Sequence, residues 1–360
     1  MDIREATQGY EQWLSDQLQL VPADLEMKHQ HMQSSLFQFL RATYYRWAQT
    51  WQTTCPDLAN APVVTAVCDL HIENFGTWRD SEGRLVWGIN DFDEAFPAPF
   101  TVDLLRLATS TLVAIEAEHL TLGRKKACTM ILQGYSDALS SGGLPFVLAE
   151  QHDWLRMISA AKLRSPVAFW RKLGELPEFD GEVPADAKDA MARLLPDPAL
   201  PLRFARRVAG LGSLGRQRFV ATADWHGGRI AREVKSVALS ANVWADSSQA
   251  TRDVYYRRLL DSSVRVVDPY ILISDKWVVR RLAPDCIRVE LADLPAHRDE
   301  SRLLYCMGFE TGNIHLASPE MREQIQQDLA ARPEDWLLEA AKLMRKDLAN
   351  DWKLWRRAVN

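Results

Sequence analysis

The residues best suited to chemistry lie between positions 68 and 93 of this 360-residue chain. Asp69 is followed five positions later by Asn74, an interval typical of the catalytic loop in enzymes that transfer phosphoryl groups. In such a loop the aspartate accepts the proton of a hydroxyl group and the asparagine holds Mg²⁺. Asp91 occupies the place of a second metal-binding carboxylate. The spacing therefore predicts phosphoryl transfer, with Asp69 as the base and with Asn74 and Asp91 as metal ligands.

Two more polar side chains accompany these three. His71 lies between Asp69 and Asn74, and a single histidine beside a turn is more often a hydrogen-bonding group that orients its neighbours than a metal ligand. Asp93 follows Asp91 closely and is a further candidate for binding metal or substrate. The alternative is that these residues only stabilise turns. The combination of both motifs next to predicted strands favours an active site.

Short apolar runs flank the polar residues and predict the elements that position them. Residues 63–68 and 84–89 are predicted strands, and the turn-forming residues 80–83 come just before the second one. A metal site needs oxygen atoms that converge from different backbone segments. A strand, a loop and a hairpin are expected to provide this by folding Asp91 back toward Asn74.

Composition narrows the class of protein. Hydrophobic residues make up 47% of the 360 positions, which suffices for two lobes around a shared cleft. The net charge is −5 and the pI is near 6.0, so nucleic acid is not an expected partner. The five cysteines are odd in number and lack Cys-x-x-Cys spacing, which argues against a zinc site and a disulfide framework. No signal or transmembrane segment is predicted, so we expect a cytoplasmic protein without a membrane partner.

An acidic, proline-rich stretch at 174–201 separates a mainly helical region from a region of short β-favouring segments. Three predicted strands are followed by one helix and by further strands. An antiparallel sheet is therefore expected in this part of the chain. The predicted strands are 203–208, 218–223, 229–235, 264–267, 271–274 and 277–282, and the predicted helix is 247–260.

A glycine-rich turn lies between the first two of these strands. Gly210, Gly212 and Gly215 have the G-x-G-x-x-G spacing, with Ser213 among them, which lets backbone N–H groups approach phosphate without interference from a Cβ atom. A dinucleotide-binding fold is disfavoured because the next segment is predicted to be a strand. Lys235 on the third strand is predicted to contact the α- and β-phosphates of ATP. The alternative is a lysine at a strand edge that limits aggregation.

The motifs resemble those of a known family. Segments 69–76, 90–95 and 99–108 resemble an uncharacterised bacterial family, domain-of-unknown-function family 2252, and looser similarity extends from about residue 30 to 320. That family resembles the protein-kinase-like superfamily, and its Asp-x-His-x-x-Asn and Asp-Phe-Asp motifs are similar to those of aminoglycoside phosphotransferases. The resemblance implies ATP and Mg²⁺ as cofactors. The chain departs from the family at Cys68, where the family has glycine.

The order of the motifs determines the predicted fold. In ordinary kinases the glycine loop precedes the catalytic loop, whereas here it follows. We therefore predict an α+β, protein-kinase-like, two-lobed fold that is circularly permuted, which requires the original termini to lie close in space. The expected parts are a large, mainly helical lobe at 1–190, a small antiparallel β lobe at 200–295 and a helical return to the large lobe at 296–360.

Helical patterns agree with this division. Asp103 is a predicted N-cap at the start of one of the helices. Arg41, a cation among aromatic residues of the first helical region, is a candidate partner for an acidic group near the site. The predicted helical regions are 8–52, 103–120, 124–140, 303–315 and 333–357.

The expected function is ATP- and Mg²⁺-dependent phosphotransfer to an unidentified small-molecule or protein acceptor. One alternative is a pseudokinase, a nucleotide-binding regulatory module. It arises because Ser236 replaces the family's glutamate and the predicted helix offers only Asp253, so Lys235 has no identified carboxylate partner. The other is nucleotidyl transfer, in which ATP binds inverted and AMP moves onto a protein. The sequence indicates neither the acceptor nor the oligomeric state.

Overall fold

The computed structural model describes residues 1–148, 152–160, 165–246, 248, 253–274, 276–286, 288 and 299–357. Helices and strands both occur in this part of the chain, so the predicted α+β character is confirmed. The helices are α1 (Ile3–Ser15), α2 (Pro22–Ser34), α3 (Leu36–Ala42), α4 (Tyr44–Thr54), α5 (Pro56–Ala59), α6 (Thr101–Glu116), α7 (Arg124–Ser141), α8 (Asp153–Ala160), α9 (Pro166–Gly174), α10 (Ala185–Ala192), α11 (Ala241–Ala245), α12 (Tyr256–Ser262), α13 (Glu300–His315), α14 (Arg322–Ala331) and α15 (Trp336–Arg357).

The strands of the described residues form three antiparallel sheets. The strands are β1 (Val63–Ala66), β2 (Phe75–Arg79), β3 (Leu85–Ile89), β4 (Phe96–Pro99), β5 (Phe146–Val147), β6 (Arg203–Arg206), β7 (Arg218–Trp225), β8 (Gly228–Ser236), β9 (Ile271–Ser274) and β10 (Trp277–Arg281). One sheet pairs β1 with β4, and a second has the order β2-β3-β5. The largest sheet has the order β6-β7-β8-β10-β9.

Helices α7 and α13 pack closely because glycines lie at their contact. A Cβ atom on Gly134 would lie 1.9 Å from the carbonyl oxygen of Tyr305, and one on Gly308 would lie 2.0 Å from that of Ile131. Both distances are far below van der Waals contact, so neither position accommodates a side chain without a shift of the backbone. The pair belongs to the main hydrophobic core, to which α1, α4, α6 and α15 also contribute.

The two small sheets bring the predicted catalytic and metal-binding loops together. The last residue of β1 lies opposite the first residue of β4, and the first residue of β2 lies opposite the last residue of β3. Residues 67–74 and 90–95 connect these two ladders, so each loop begins at one ladder and ends at the other. The N–H of Asn90 also donates to the carbonyl oxygen of Asn74 at 3.1 Å. Strand pairing therefore holds the two loops side by side.

The five-stranded sheet has one face in the apolar cluster of α10 and one face that carries charged side chains beside a smaller apolar cluster. Phe219 and Val234 are paired across β7 and β8, and they pack with residues of α10 in a separate hydrophobic cluster. Side chains alternate along a strand, so Glu233 and Lys235 point to the opposite face. There Arg218 lies opposite Lys235. The charged face is the one that borders the candidate site.

Most of the predicted strands of this sheet are present, with ends that shift by up to about two residues. The strand predicted at 264–267 is wrong, because these residues are irregular. Tertiary contacts explain this, since the N–H of Val264 donates to the carbonyl oxygen of Asn313 on α13 at 3.0 Å instead of joining a ladder. A run of β-favouring residues alone does not provide a neighbouring strand.

The helix predicted at 247–260 is wrong in extent. Helix α11 ends at Ala245 and α12 begins at Tyr256, and residues 248 and 253–255 are not helical. Residues 247 and 249–252 of the predicted helix lie outside the described residues.

The helical pattern at 8–52 corresponds to four helices rather than one. Ser35 interrupts it by capping α3, since its Oγ accepts the N–H of Gln38 at 3.1 Å. The predicted N-cap role of Asp103 is also wrong, because α6 begins at Thr101 and Asp103 lies within its first turn. No helix in the described part of the chain is long and apolar enough to cross a membrane.

Candidate active site

Asp69, the predicted base, is bound by a fully buried arginine. Arg106 of α6 donates to Oδ1 of Asp69 from Nε at 2.9 Å and from Nη2 at 2.6 Å. Its guanidinium group lies over the rings of Tyr44 and Trp47 and donates to the carbonyl oxygen of Leu40 at 2.7 Å. Burial raises the pKa of Asp69 to about 6, and the charge of Arg106 opposes this shift. Oδ2 accepts no hydrogen bond from the described residues, so it is available to a substrate.

Asp103 holds the backbone that leads into Asp69. Its carboxylate accepts the N–H groups of Val67 at 2.8 Å and Cys68 at 2.7 Å. His315 of α13 lies 2.9 Å from the same carboxylate through Nε2, and its Nδ1 is 2.7 Å from the hydroxyl oxygen of Tyr135. All of these groups are buried. This buried chain of polar groups fixes the end of β1 relative to α6, α7 and α13.

The residue before Asp69 has a left-handed backbone. Cys68 has a φ of 70°, a region that favours glycine because the Cβ atom of any other residue is crowded there. The thiol is fully buried, and burial raises the pKa of Cys68 well above its usual range. The strained conformation therefore persists because packing and the bonds to Asp103 hold it.

His71 and Asn74 shape the loop after Asp69. The Nδ2 group of Asn74 donates to the carbonyl oxygen of Asp69 at 2.8 Å, which closes the loop. Nδ1 of His71 accepts the N–H of Glu73 at 3.2 Å, and burial together with the charge of Arg41 lowers the pKa of His71 well below its usual range. His71 is therefore neutral and organises the backbone. Arg41 lies 2.8 Å from the carboxylate of Glu73, which provides the acidic partner proposed for it from the sequence.

Lys235 of β8 lies between the two aspartates of the metal-binding loop. Its Nζ contacts Oδ2 of Asp93 directly and lies 3.7 Å from Oδ1 of Asp91. Arg288 approaches Asp91 and Arg216 approaches Asp93, each at 3.5 Å. Burial raises the pKa of Asp91, but the neighbouring cations outweigh it and hold the pKa well below its usual range. Lys235 is only 3% exposed, and burial lowers its pKa while the two aspartates oppose that shift.

Three buried oxygen atoms at this point have no hydrogen-bond partner among the described residues. They are the Oδ1 atoms of Asn74, Asp91 and Asp93. Unpaired buried oxygens are uncommon, and carboxylate and amide oxygens are the ligands that Mg²⁺ prefers. The three residues thus fit a divalent cation. No three His, Cys, Asp or Glu side chains of the described residues are grouped to hold a metal, so a site here depends on the amide of Asn74.

The predicted glycine loop joins β6 to β7 at the edge of the same cleft. Gly210 and Gly215 have φ values of 76° and 97°, which favour glycine. A Cβ atom on Gly215 would lie 2.3 Å from Cδ2 of Leu25, so this glycine also serves packing against α2. Oγ of Ser213 accepts a hydrogen bond from Arg218 at 2.9 Å. The loop is therefore fixed at both ends.

The middle glycine of the loop lies beside the predicted base. A Cβ atom on Gly212 would be 3.8 Å from Oδ2 of Asp69 and 3.1 Å from the carbonyl oxygen of Arg41. Its own carbonyl oxygen accepts a hydrogen bond from Nζ of Lys28 at 3.4 Å. Burial lowers the pKa of Lys28 to about 8. The side-chain-free surface of Gly212 thus leaves the free oxygen of Asp69 accessible.

A buried ion-pair network that the sequence did not predict connects the glycine loop to the metal-binding loop. Arg216 contacts Asp93 at 3.5 Å, Glu94 at 3.3 Å and the hydroxyl group of Tyr10 at 3.4 Å. Glu94 also accepts the N–H of Ala241 at 2.7 Å. Burial raises the pKa of Glu94 to about 7, against the charge of Arg216. The network ties the beginning of β7 to the residues that follow Asp91.

The structure brings most of the predicted site residues together. Lys235 lines an adjoining cavity and reaches the aspartates from there, whereas Gly215 lines neither cavity. The predicted residues that line one shared cavity are Asp69, His71, Asn74, Asp91, Asp93, Gly210, Gly212 and Ser213.

Sequence reasoning missed the roles of Arg106, Asp103 and Arg216. A signal for the first two was present, because a charged pair three positions apart in an otherwise uncharged stretch of α6 predicts a polar contact on one face. It also missed the carboxylate partners of Lys235, which are Asp91 and Asp93 rather than an acid of a nearby helix. The contacts of Lys235 join residues more than a hundred positions apart, and no local sequence pattern predicts them.

One comparison with known proteins gives a match. A family model described as an uncharacterized protein conserved in bacteria (DUF2252) matches residues 20–164. The matched part contains both loops of the candidate site, together with Asp103 and Arg106, but ends before the glycine loop and Lys235. No curated protein and no solved structure matches the chain at a significant level.

Proposed function

We propose that this protein is an ATP- and Mg²⁺-dependent phosphotransferase of kinase-like type. The observation that carries the proposal is the position of Lys235, which contacts the carboxylates of Asp91 and Asp93 beside the cavity that contains Asp69. A lysine for phosphate, carboxylates for metal and a separate aspartate for the acceptor are the parts that phosphoryl transfer needs. Few structural roles require all of them at one cleft.

The proposed base is Asp69. Arg106 occupies its Oδ1 atom and orients the carboxylate, while Oδ2 is free to accept the proton of an acceptor hydroxyl group. A pKa raised to about 6 by burial keeps Asp69 mostly ionised at neutral pH and makes it a stronger base than an exposed aspartate. Its pKa therefore suits proton abstraction near pH 7.

The proposed metal ligands are Asn74 and Asp91, with Asp93 as a further candidate. Their Oδ1 atoms, which accept no hydrogen bond from the described residues, supply amide and carboxylate oxygens. When bound, Mg²⁺ would neutralise phosphate charge during transfer. Lys235 is close enough to both aspartates to contact phosphate groups held there, and the N–H groups of the loop from Gly210 to Gly215 would contribute further donors.

The arrangement of elements supports a circularly permuted kinase-like fold with two lobes. Strands β6, β7 and β8 are followed by short helices and then by β9 and β10, which is the composition of a kinase small lobe. The glycine loop lies on its first turn and Lys235 on its third strand. The catalytic and metal-binding loops come earlier in the chain, which is the reverse of the ordinary order.

Binding of nucleotide tests the proposal most directly. ATP with Mg²⁺ is expected to raise the unfolding temperature, because a ligand at about 100 times its Kd adds roughly 2.7 kcal/mol to the free energy of unfolding. Calorimetric titration measures the same interaction. Absence of both effects at millimolar nucleotide would contradict the proposed function.

Two variants separate catalysis from binding. Asp69→Asn is expected to lower phosphoryl transfer by about 10²-fold or more while leaving nucleotide affinity nearly unchanged. Asp91→Asn is expected to weaken metal-dependent nucleotide binding as well as turnover. Asp57→Asn, at an exposed position of α5, is the control and should change neither. Full activity of Asp69→Asn would exclude this residue as the base.

Nucleotidyl transfer is a second candidate, and one observation favours it. The face of β8 next to the cleft carries the charged Glu233 two residues before Lys235. In the ordinary orientation of ATP, adenine would lie near this face, where an apolar surface would suit it better. The charge of Glu233 therefore favours the inverted orientation. Mass analysis of a modified acceptor distinguishes a phosphate adduct from an AMP adduct. Nucleotide binding without either adduct would instead indicate a pseudokinase.

A further inference from the structure

Next to Lys235 lies a second cavity of about 220 Å³ whose walls are rich in arginine. Asp91, Gly210 and Arg288 line both this cavity and the one that contains Asp69, so the two cavities adjoin. We call the second one the arginine cavity, after Arg207, Arg218, Arg265, Arg280, Arg281 and Arg288, which line it.

The charges around the arginine cavity are unbalanced. Six arginines and Lys235 line it, against three acidic side chains. Two of these acids are already shared between cations. Glu233 contacts Arg207 and lies 2.7 Å from Arg218, and Asp91 lies between Lys235 and another of the arginines. The excess positive charge attracts an anion into the cavity.

Three of the arginines form no ion pair with a carboxylate of the described residues. Arg281 lies over the ring of Tyr270 at 4.5 Å, and Arg280 donates to the hydroxyl oxygen of Tyr256 at 3.3 Å. The Nε atoms of Arg265 and Arg281 are buried without a hydrogen-bond partner. Aromatic contacts thus position these cations, and the carboxylates that favour their charge act from beyond ion-pair distance. An anionic ligand would supply the direct partner that these guanidinium groups lack.

The sheet wall of the arginine cavity is charged where β8 pairs with β10. Glu233 and Lys235 lie on one face of β8, and Arg280 lies opposite Glu233 on β10. A base inserted there would exclude water from these charges without replacing their partners. The wall therefore favours the anionic part of a ligand.

We propose that the arginine cavity binds a chain of two or more phosphate groups. Guanidinium groups match phosphate oxygens with paired hydrogen bonds, and a phosphate chain carries enough charge to engage several arginines together. The chain belongs either to the nucleotide donor or to a phosphorylated acceptor. The assignment of the chain to a donor or an acceptor rests on the proposed function. Binding of the phosphate chain does not, since it requires no turnover.

Inorganic tripolyphosphate, measured by calorimetry with the whole protein and without nucleotide, tests the proposal. The parent protein is expected to bind it, with affinity that falls as salt concentration rises. Arg280→Met and Arg265→Met should each weaken binding by about tenfold or more, the usual size of a lost charged hydrogen bond. Arg171→Met, at an exposed position of α9, is the control and should leave affinity unchanged. Absence of binding at millimolar tripolyphosphate, or equal affinity in all variants, would overturn the proposal.

Folding of the variants is checked by thermal unfolding without ligand. Nearby carboxylates favour the charge of Arg280, so its variants need only unfold cooperatively above the temperature of the binding measurement. Arg280→Lys and Arg265→Lys provide a second pair that keeps the charge but loses the paired hydrogen bonds, and they should bind with intermediate affinity. Lysine variants that bind as tightly as the parent while the methionine variants fail to fold would also count against the proposal.

Competition identifies the source of the phosphate chain. If the phosphates of ATP enter the arginine cavity, tripolyphosphate should raise the apparent Kd of ATP in proportion to its concentration. If the chain belongs to the acceptor, ATP and tripolyphosphate should bind together. Failure of ATP to bind while tripolyphosphate binds through these arginines would reject the proposed function and leave this inference intact.

Discussion

Cys68 carries a side chain at a left-handed backbone conformation that favours glycine. At a φ of 70° a residue other than glycine costs about 1–2 kcal/mol, and a β-branched residue costs more. Cys68→Gly removes this strain but also a buried thiol, so the free energy of unfolding should change by less than about 1 kcal/mol. Cys68→Val should lower it by about 2 kcal/mol or more. Chemical denaturation of both variants measures the difference.

The control for this pair is Cys128, which is also buried but lies in the regular helix α7. Cys128→Val should cost about 1 kcal/mol or less, because valine has nearly the same helix propensity as cysteine. Equal costs for valine at the two positions would mean that the left-handed conformation of Cys68 is not a source of strain.

At the scale of elements, the contact between α7 and α13 depends on glycine, which has no Cβ atom. Gly134→Ala would place a methyl group 1.9 Å from the carbonyl oxygen of Tyr305, so the helices must separate. We expect a loss of about 3 kcal/mol or more in the free energy of unfolding. Gly123→Ala, where no atom lies within 4 Å of the added methyl group, should cost about 1 kcal/mol or less. Similar losses at both glycines would contradict the close packing.

Glu310 joins α13 to β3, and its ionisation should make stability depend on pH. Its carboxylate accepts the N–H of Ile89 at 3.2 Å, and burial raises its pKa to about 7, from 4.5. The folded state therefore binds this proton more tightly than the unfolded state does. The stabilisation is complete below pH 4.5 and is lost as the pH rises through about 7, in total on the order of 3 kcal/mol.

Comparison with Glu310→Gln isolates this effect. The free energy of unfolding of the parent, minus that of Glu310→Gln, should fall between pH 4.5 and 7 and then level off. The exposed Glu320→Gln serves as the control and should give a difference that is nearly constant with pH. A constant difference for Glu310→Gln as well would show that Glu310 ionises normally in the folded protein.

At the scale of the whole molecule, the first and last helices meet. Nη2 of Arg4 in α1 lies 3.5 Å from the carbonyl oxygen of Leu354 in α15, and the ring of His29 in α2 also lies against that of Trp355. A short linker can therefore join the two ends, and new ends can be opened between the exposed Pro198 and Ala199. This rearrangement places the glycine loop before the catalytic loop.

We expect the rearranged chain to unfold within about 5 °C of the parent and to keep any stabilisation by nucleotide. A chain opened between Val86 and Trp87, in the buried strand β3, is the matched control and should not fold. Loss of folding on opening at Ala199 would mean that the covalent connection there is essential.

Much of the fold could be predicted from local patterns. The β-favouring runs at 271–274 and 277–282 are bounded by polar turns, and both are strands in the structure. The division of 8–52 into four helices was missed because its apolar pattern is nearly continuous across Ser35. The irregular course of 264–267 was missed because it is determined by α13, which lies far away in the sequence.

The candidate site was predictable to a lesser degree. The spacing of Asp69, Asn74 and Asp91 identified one cavity, because loops between paired strands converge. The role of the α6 residue Asp103, which accepts two N–H groups of the loop after β1, was predictable only as a polar contact whose partner the sequence does not identify. Its position suggested a local cap, and only the packing of α6 against β1 decides between a cap and a distant contact.

Lys235 supplies a positive charge to Asp91 and Asp93. A free divalent cation would have to displace this ammonium group from both carboxylates, whereas a nucleotide would offer the group a replacement anion. On the proposed function, each ligand therefore increases the affinity for the other by the same factor, since such coupling is reciprocal. The protein would then respond to the concentration of the metal–nucleotide complex and remain nearly indifferent to changes in free Mg²⁺ alone.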